Sequence, residues 1–266
     1  MRADRADWVA PGPGWPASVT ALTTVRQPWA VRGHSQGPFG TWNLADHVDD
    51  APAAVAANRA ALLSATGVSG VQWLQQVHGT AVVAADGETA RQVPVADAAW
   101  TRQPGLAVAV LTADCVPVVL ADRAGTVVGV AHGGWRGLVG GVIGALVAAM
   151  PVPATGLVAW VGPAIGPAAY EVGDDVAGAV AGLDRNLADV CLRPGRRPGK
   201  HQLDLFALTA SLLAASGVAV VPFERTCTFS DARFYSYRRD GVTGRMATLA
   251  WLQPAGDVRG KRTPCS

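Results

Sequence analysis

The feature that most constrains this chain of 266 residues is the segment 137–170, which contains no charged side chain. A segment of this kind must be buried, either in a lipid bilayer or in the core of a folded domain. Pro151 and Pro153 interrupt it, and several glycines dilute the apolar residues before them. The continuous apolar run is therefore shorter than the roughly 20 residues that a membrane-spanning helix needs. The segment predicts a buried helix, a turn and a buried strand, with no membrane contact.

Composition narrows the functional classes further. Half of the residues are hydrophobic and 16% are charged, which suits one sizeable core and excludes a disordered chain. The formal net charge is only +2, so the sequence disfavours nucleic acid as a partner. The first twenty residues carry charges and three prolines but no apolar run, so no secretory signal is predicted. We expect a cytoplasmic protein that is a monomer or a weak homo-oligomer.

Cysteine and histidine usage limits the possible metal chemistry. The four cysteines are widely spaced and form no CxxC pair, which argues against a disulfide framework and against a zinc ribbon. The sequence therefore predicts reduced thiols. Any metal site must draw on a short list of five histidines: His34, His47, His78, His132 and His201.

The order of predicted elements indicates one irregular α+β domain, because helices and strands interleave without regular βαβ spacing. Helices are predicted at 52–66, at 138–150, from about 174, and at 204–216. Extended segments are predicted at 71–77, 81–85, 106–111, 116–121, 126–131, 157–161, 218–222, 234–237 and 246–252.

Three potential metal ligands stand at the ends of predicted strands, each beside a glycine or a turn: His78, Cys115 and His132. Strand ends can direct side chains into a common pocket. Two imidazoles and a thiolate suit zinc, and three protein ligands with an open fourth position are typical of catalytic zinc. The same residues also permit a histidine-activated Cys115 nucleophile without metal, or a buried cysteine with two hydrogen-bonded histidines. Five histidines are too few for the multi-copper cluster of a laccase.

Two segments are suited to anion binding. The glycine-rich segment 132–137 precedes a predicted helix and places Arg136 at its start, although it is neither a Walker A loop nor a GxGxxG fingerprint. A second cationic cluster contains Arg238 and Arg239 next to Tyr237. Guanidinium groups can grip phosphate or carboxylate through two parallel hydrogen bonds. A packing turn and a solvated strand end remain the alternatives.

Five motifs, in this order along the chain, resemble those of the laccase-domain or multicopper polyphenol oxidase family. They are Gln76-Val-His78-Gly, Thr112-Ala-Asp-Cys115-Val-Pro, His132-Gly-Gly-Trp-Arg-Gly137, Gly162-Pro-Ala-Ile-Gly-Pro167 with Tyr170-Glu-Val-Gly173, and Phe234-Tyr-Ser-Tyr-Arg-Arg-Asp240 with Thr243-Gly-Arg245. The resemblance extends over about Thr23 to Leu252. Upstream, residues 32–44 resemble the family's opening loop, although Arg32 and His34 depart from its usual pattern.

The resemblance implies a single α+β domain of mixed sheets with flanking helices, similar to the fold of cytotoxic necrotizing factor. This domain would span residues 23–253, between a flexible N-terminal segment at 1–22 and a C-terminal tail at 254–266. The implied site has zinc on His78, Cys115 and His132, with copper as the alternative metal. The remaining implied site residues are Asp114, as a proton shuttle or an orienting group, and the substrate contacts Ser35, Asn43, Arg59, Arg136 and Arg238.

Members of this family are described as purine nucleoside phosphorylases with adenosine deaminase activity, and bacterial members also as peptidoglycan editing factors. The resemblance therefore implies that adenosine, inosine or methylthioadenosine reacts with phosphate to give free base and ribose 1-phosphate. Adenosine deamination would be an additional activity. Two alternatives stay open at this point, namely copper-dependent polyphenol oxidation and hydrolysis of peptidoglycan precursors with Cys115 as nucleophile. The sequence does not separate a nucleoside substrate from a cell-wall substrate.

Overall fold

The computed structural model describes residues 8–254, which form fourteen β-strands and seven α-helices. The strands are β1 (Trp8–Val9), β2 (Val19–Thr24), β3 (Gly70–Gln72), β4 (Val82–Ala84), β5 (Ala98–Thr101), β6 (Leu106–Thr112), β7 (Val116–Asp122), β8 (Val128–Gly133), β9 (Leu157–Val161), β10 (Glu171–Gly173), β11 (Leu192–Pro194), β12 (Lys200–Leu203), β13 (Ala219–Val220) and β14 (Met246–Leu252). The helices are α1 (Pro52–Thr66), α2 (Trp135–Gly140), α3 (Val142–Ala149), α4 (Asp174–Ala181), α5 (Arg185–Cys191), α6 (Leu205–Ala215) and α7 (Tyr237–Asp240).

Two large mixed sheets and one small sheet organise these strands. The five-stranded sheet has the order β1-β2-β14-β6-β3, in which only β3 and β6 run parallel. The six-stranded sheet has the order β13-β9-β7-β8-β5-β4, with parallel pairs at both edges. The small antiparallel sheet has the order β10-β12-β11. Mixed sheets of this kind confirm the predicted α+β class.

Alternating side chains along the central strands place the two large sheets face to face. The even-numbered residues of β6 from Leu106 to Val110 join β8 and β9 in the cluster between the sheets. The odd-numbered residues of β6, from Ala107 to Leu111, face the opposite way. They belong to a cluster that also contains Trp42 and Leu62, the latter on α1. Strands buried on both faces explain the continuous apolar runs of the sequence.

Helices cover the outer face of the six-stranded sheet. Val116, Val118 and Leu120 of β7 pack with Leu138 of α2 and Leu146 of α3 in a further hydrophobic cluster. The uncharged segment 137–170 supplies most of α2, α3 and β9; β9 is fully buried, whereas α3 buries one face and exposes the other. Within residues 8–254, no helix has both the length and the apolar character needed to cross a bilayer.

Several predicted elements are confirmed at or within one residue of their ends. Helix α1 occupies the predicted range and ends at Gly67, which adopts a left-handed backbone conformation with φ of 71°. Its N-cap is Ala51, without a side-chain cap. Helix α6 begins after Asp204, whose carboxylate accepts a hydrogen bond from the backbone N–H of Ala207. Strands β9 and β14 also follow the predicted ranges.

Two predicted elements differ from the structure for local reasons. The helix predicted at 138–150 is two helices, because Gly141 between them has a φ of 96° that interrupts helical geometry. The extended segment predicted at 234–237 instead leads into α7, since the Ser236 hydroxyl accepts a hydrogen bond from the backbone N–H of Arg239 and caps a helical turn.

The strand predicted at 71–77 is shorter in the structure than in the prediction. The small sheet of β10, β11 and β12 was not predicted as a sheet. Strand β3 ends at Gln72, and Gln76 instead uses its side-chain amide to pair with the backbone of Leu111 on β6. Strand β13 is likewise shorter than the predicted 218–222. Helix α5 and strands β10 to β12 lack a strong apolar pattern, so sequence periodicity does not identify them.

The N-terminal boundary also differs from the sequence interpretation. Residues 1–22 are expected to lie outside the domain, yet β1 pairs with β2, and β2 pairs with β14 along Val19–Thr23. Residues 8–22 therefore contribute strands to the five-stranded sheet, because backbone hydrogen bonds tie them to it. Residues 1–7, and the predicted tail from 255 onward, lie outside the described residues.

Candidate functional site

Three separate segments of the chain bring His78, Cys115 and His132 together. His78 lies between β3 and β4, Cys115 lies in the turn that joins β6 to β7, and His132 is on the last part of β8. One ligand atom from each of the three lies within 4.8 Å of the others. We call this group the His–Cys–His cluster.

The cluster is open on one side. Cys115 Sγ lies 3.8 Å from His78 Nε2, and the two imidazole rings meet edge to face with centroids 4.7 Å apart. His132 is buried, Cys115 is half-buried and His78 is exposed. A small molecule can therefore approach from the His78 side, while the protein encloses the other side.

Asp97 is completely buried and supports the cluster from the side that faces the protein interior. Its carboxylate accepts hydrogen bonds from the backbone N–H groups of Val77 (3.1 Å), His78 (2.9 Å) and Gly79 (2.7 Å). Its Oδ1 also lies 2.8 Å from His132 Nδ1. Because Asp97 engages Nδ1, the Nε2 atom of His132 is the ring nitrogen available to Cys115 or to a metal.

Two residues of the site have strained backbones. His78 has a φ of 59° and Asp114 a φ of 92°, and these are the only positive φ values at non-glycine residues in the described chain. Such conformations persist only where surrounding contacts enforce them, and they concentrate at functional sites. For His78 the three N–H bonds to Asp97 supply that enforcement.

Asp114 ties the cluster to the C-terminal part of the chain. Its Oδ1 accepts a hydrogen bond from the Thr228 hydroxyl at 2.7 Å, and its Oδ2 accepts one from the backbone N–H of Arg238 at 2.7 Å. Its own carbonyl accepts from the N–H of Ile165. Both carboxylate oxygens are therefore occupied by the protein, which favours an orienting role over proton transfer.

The charges of the cluster favour a thiolate. Burial raises the pKa of the Cys115 thiol, but the charge of His132 and hydrogen bonds from both histidines outweigh this effect and bring the pKa below its ordinary value. Burial lowers the pKa of His132, but Cys115 and Asp97 outweigh it and bring that pKa above its ordinary value. The pair is thus arranged as a thiolate beside an imidazolium when no other cation is present.

Cationic and aromatic side chains surround the open side of the cluster. Arg136 is exposed and stacks on the Trp135 ring at 4.5 Å, whereas Arg238 lies 5.1 Å from the Tyr170 ring centroid. Burial lowers the pKa of Arg245. The negative charges of Cys115 and Asp114 raise the same pKa, but by less than burial lowers it. Burial, aided by the charge of Cys115, raises the pKa of Tyr170 to about 12. The hydroxyl of Tyr170 is therefore protonated at neutral pH.

The structure places Ser35 and Asn43 in a different, internal network. Asn43 Nδ2 donates to Ala45 O and to the Asp50 carboxylate, and the Ser35 hydroxyl donates to the same carboxylate. Asn58, which is fully buried, donates to the Ser35 hydroxyl at 2.8 Å. These contacts fix the opening loop against α1 rather than leaving polar atoms directed to solvent.

Arg59 lies at the edge of this network. Its Nε donates to Leu44 O at 2.9 Å, its Nη1 lies 3.1 Å from Asp46, and its guanidinium stacks on the Trp73 ring at 4.3 Å. Much of its hydrogen-bonding capacity is therefore used within the protein.

Sequence reasoning missed Asp97, the residue that supports both histidines. The segment around it, Pro94-Val-Ala-Asp97-Ala-Ala, lacks the glycine or turn that marks the other site residues. A usable signal exists, since a lone carboxylate at the start of a buried apolar strand needs hydrogen-bond donors. Tyr170 and Arg245 lie within quoted motifs but receive no role from the sequence alone.

The sequence matches the family described as multi-copper polyphenol oxidoreductase laccase over residues 21–253. The chain belongs to this laccase family. Among its relatives, a purine nucleoside phosphorylase of Pseudomonas aeruginosa is 45% identical over 247 residues, covering 92% of this chain and 98% of the relative. A purine nucleoside phosphorylase of Escherichia coli is 39% identical over 244 residues, covering 90% of this chain and 97% of the relative.

Solved structures share the fold of this laccase-family chain. A Neisseria meningitidis protein superposes with a TM-score of 0.87 at 42% identity, covering 93% of this chain and 100% of that one. A Geobacillus stearothermophilus protein gives a TM-score of 0.83 at 30% identity, covering 95% of this chain and 98% of that one. These likenesses confirm the fold expected from the motifs.

The donor set of this laccase-family chain fits a single transition-metal ion. Two imidazole nitrogens and one thiolate are preferred by zinc and are also found at copper sites. The second ring nitrogen of His132 is bound by a carboxylate, as is usual for metal-ligating histidines. The open side of the cluster leaves a position for a substrate or water. His78, Cys115 and His132 are the residues that would hold the metal.

Gly134 supplies a direct test of this geometry. A Cβ at Gly134 would lie 2.4 Å from His78 Cδ2 and 3.3 Å from Cys115 Sγ. We therefore expect Gly134→Ala to displace the His78 ring and to lower metal content, measured by elemental analysis of the purified protein. The matched control is Gly144→Ala, because a Cβ there meets no atom within 4 Å. Equal metal content in the two variants would contradict the proposed ligand geometry.

Proposed function

We propose that this protein is a zinc-dependent purine nucleoside phosphorylase that also deaminates adenosine. The observation that carries the proposal is the open His–Cys–His cluster with Arg136 and Arg238 near it, neither of which has a carboxylate partner within residues 8–254. Relatives that cover nearly the whole chain bear the name purine nucleoside phosphorylase, which supports the same substrate class. When bound, the metal would supply Lewis-acid chemistry for the deamination.

Phosphorolysis requires cations that hold phosphate next to the anomeric carbon of the ribose. Arg136 can bind the anion, since its guanidinium stacks on the Trp135 ring and forms no hydrogen bond or ion pair with the other described residues. Arg238 donates one N–H to Glu171 O, which leaves its other donors for a second phosphate oxygen. In this proposal the two guanidinium groups bind and orient phosphate, with Arg245 adding positive charge near Cys115.

The departing purine needs a hydrogen-bond donor as negative charge develops on it. We assign that role to the Tyr170 hydroxyl, because the Tyr170 ring lies 5.1 Å from the Arg238 guanidinium and its phenol is a hydrogen-bond donor at neutral pH. Asp114 positions Arg238 through the backbone N–H, and Asp97 positions both histidines. Ser35, Asn43 and Arg59 contribute by shaping the opening loop, in keeping with their internal hydrogen bonds.

The decisive experiment combines substrate turnover with control of the metal. Purified protein incubated with inosine and phosphate is expected to release hypoxanthine and ribose 1-phosphate, whereas adenosine should also yield ammonia. Removal of metal with a chelator should abolish ammonia release, and added zinc should restore it. No base release by the zinc-loaded protein would overturn the proposal. Restoration by copper alone, together with phenol oxidation, would support the oxidase alternative.

Arg136 offers a test of the phosphate site that does not depend on the metal. We expect Arg136→Ala to raise the KM for phosphate by about tenfold, because the variant loses one exposed, charge-assisted hydrogen bond to the anion. The KM for inosine should change less. Arg136→Lys should recover part of the loss because it keeps the charge. The control is Arg102→Ala, whose side chain contacts Pro151 O away from the cluster. An unchanged KM for phosphate would exclude Arg136 from the site.

A further inference from the structure

Arg245 is held in place beside the His–Cys–His cluster. It directly precedes Met246, which pairs with Thr112 of β6 at the entrance to the Cys115 turn. The backbone N–H of Arg245 donates to Asn43 Oδ1 at 2.9 Å. Asn43, which is fully buried, therefore acts on the site through the main chain of Arg245.

Two carbonyl groups fix the plane of the half-buried Arg245 guanidinium. Its Nη1 donates to Thr243 O at 2.8 Å and to Gly244 O at 3.0 Å. Within residues 8–254, its Nε and Nη2 form no hydrogen bond and the group has no ion-pair partner. Burial lowers the pKa of Arg245 and the charges of Cys115 and Asp114 oppose that change, so the guanidinium lies within electrostatic range of the cluster. The N–H bonds of Nε and Nη2 run parallel along one edge of the guanidinium and form a free two-donor fork.

An exposed aromatic ring lies next to this fork. The Tyr237 ring centroid is 5.9 Å from the Arg245 guanidinium carbon, and the residue is 62% exposed. The main chain after it is fixed, because the backbone N–H of Arg238 donates to the Asp114 carboxylate at 2.7 Å. Aromatic side chains of this kind stack on planar bases of any sequence. A flat ligand with two neighbouring acceptor atoms on its edge uses both groups, its face on Tyr237 and its edge on Arg245.

We propose that Arg245 binds the purine edge of the substrate and makes the site selective for 6-oxopurine nucleosides, such as inosine and guanosine. The inference rests on the proposed nucleoside chemistry and adds the class of base. O6 and N7 of a 6-oxopurine are neighbouring acceptors, and an arginine fork matches them with two parallel hydrogen bonds. Adenine has an acceptor at N7 but a donor amino group at N6, so one of the two hydrogen bonds is lost.

A phosphate or carboxylate also matches a two-donor fork, but the surroundings of Arg245 favour a base. The face of an aromatic ring carries negative partial charge, so the neighbouring Tyr237 ring disfavours an anion and suits a planar ring. The proposed phosphate site already has Arg136 and Arg238. A base bound through O6 and N7 keeps N3 as an acceptor for the Tyr170 hydroxyl.

The hydrogen bond to N7 is tested by titrating the full-length, zinc-loaded protein with inosine and with 7-deazainosine in the absence of phosphate. 7-Deazainosine has a C–H group in place of N7 and keeps O6. We expect the unmodified protein to bind 7-deazainosine about tenfold more weakly than inosine, because one charge-assisted hydrogen bond is lost. Arg245→Met removes both donors, so it should bind the two nucleosides equally. The control Tyr237→Ala should weaken both nucleosides and keep the ratio, because stacking does not depend on N7.

The choice of base is tested by turnover. The measured quantity is the ratio of kcat/KM for hypoxanthine release from inosine to kcat/KM for adenine release from adenosine, with each base determined by chromatography. This ratio should fall by about tenfold in Arg245→Met, whereas Arg245→Lys, which keeps a charged donor, should retain part of the preference. Arg136→Ala is the control, since it should raise the KM for phosphate and leave the ratio unchanged. Circular dichroism and zinc content establish that the variants are folded and loaded.

Three results would overturn the inference. They are equal binding of inosine and 7-deazainosine by the unmodified protein, an N7 preference that persists in Arg245→Met, and a raised KM for phosphate in the Arg245 variants without a change in base preference. The titrations need no turnover, so an Arg245-dependent N7 preference without base release would keep the inference and reject phosphorolysis. Normal base release with an unchanged base preference in the variants would reject the inference alone.

Discussion

Replacing Cys115 by alanine is expected to abolish both metal binding and ammonia release from adenosine. The substitution removes the thiolate, one of three proposed ligands, and leaves two histidines with an open pocket. Loss of a residue that merely supports a ligand typically lowers metal affinity by 10- to 100-fold, so loss of a ligand itself should exceed about 100-fold. Elemental analysis and the adenosine assay on the same preparation measure both effects.

The serine variants of two cysteines provide the matched control. Cys115→Ser should lose metal as Cys115→Ala does, because a neutral hydroxyl is a poor zinc ligand. Cys227→Ser should keep the metal, since Cys227 lies outside the cluster and its hydroxyl can still accept the Gly166 N–H. If Cys115→Ser kept its metal but lost activity, a thiol nucleophile would replace the metal ligand in the mechanism.

Replacing Asp97 by alanine should have the second-largest effect of the substitutions considered. We expect it to lower both the stability of the fold and the affinity for metal. The change leaves three partly buried backbone N–H groups and the buried His132 Nδ1 without their acceptor. We expect the free energy of unfolding to fall by about 3 kcal/mol or more. Chemical denaturation of the metal-free protein measures this loss separately from any metal effect.

Asp97→Asn separates the two roles of this side chain. Asparagine keeps the size and one acceptor oxygen, so the backbone of His78 should be held in part. Its amide group cannot serve as a carboxylate partner for His132 Nδ1, and zinc affinity should fall by about 10- to 100-fold. A variant with normal zinc affinity and reduced stability would show that Asp97 supports the loop but does not tune the ligand.

The parts of this fold that follow from the sequence are those in which one residue pattern has one explanation. Uninterrupted apolar runs of strand length at 106–111 and 157–161 are typical of strands buried on both faces, and the structure places them between two layers. Helix α1 has proline at its start and glycine at its end, so its bounds were predictable. The three cluster residues stood out for a similar reason, because each interrupts apolar sequence at a strand end.

The parts that the sequence could not supply depend on contacts between distant segments. Asp97 is recognisable only once the loop of His78 and the end of β8 are placed on either side of it. Likewise, the internal role of Ser35 and Asn43 depends on Asp50 and Asn58 arriving from later in the chain. The local sequence pattern predicts whether a residue lies in a helix, a strand or a loop. Its hydrogen-bond partner, in contrast, depends on which distant segments the tertiary structure brings next to it.

The position of β14 has a consequence for how the protein is made. This strand lies between β2 and β6, and its first residue, Met246, pairs with Thr112 at the entrance to the Cys115 turn. During synthesis the ribosome therefore releases β2 and β6 long before the strand that joins them exists. Until Met246–Leu252 emerges, both strands have an unpaired edge, which is the condition that favours aggregation and chaperone binding. The five-stranded sheet can close only after nearly the whole described chain has been translated.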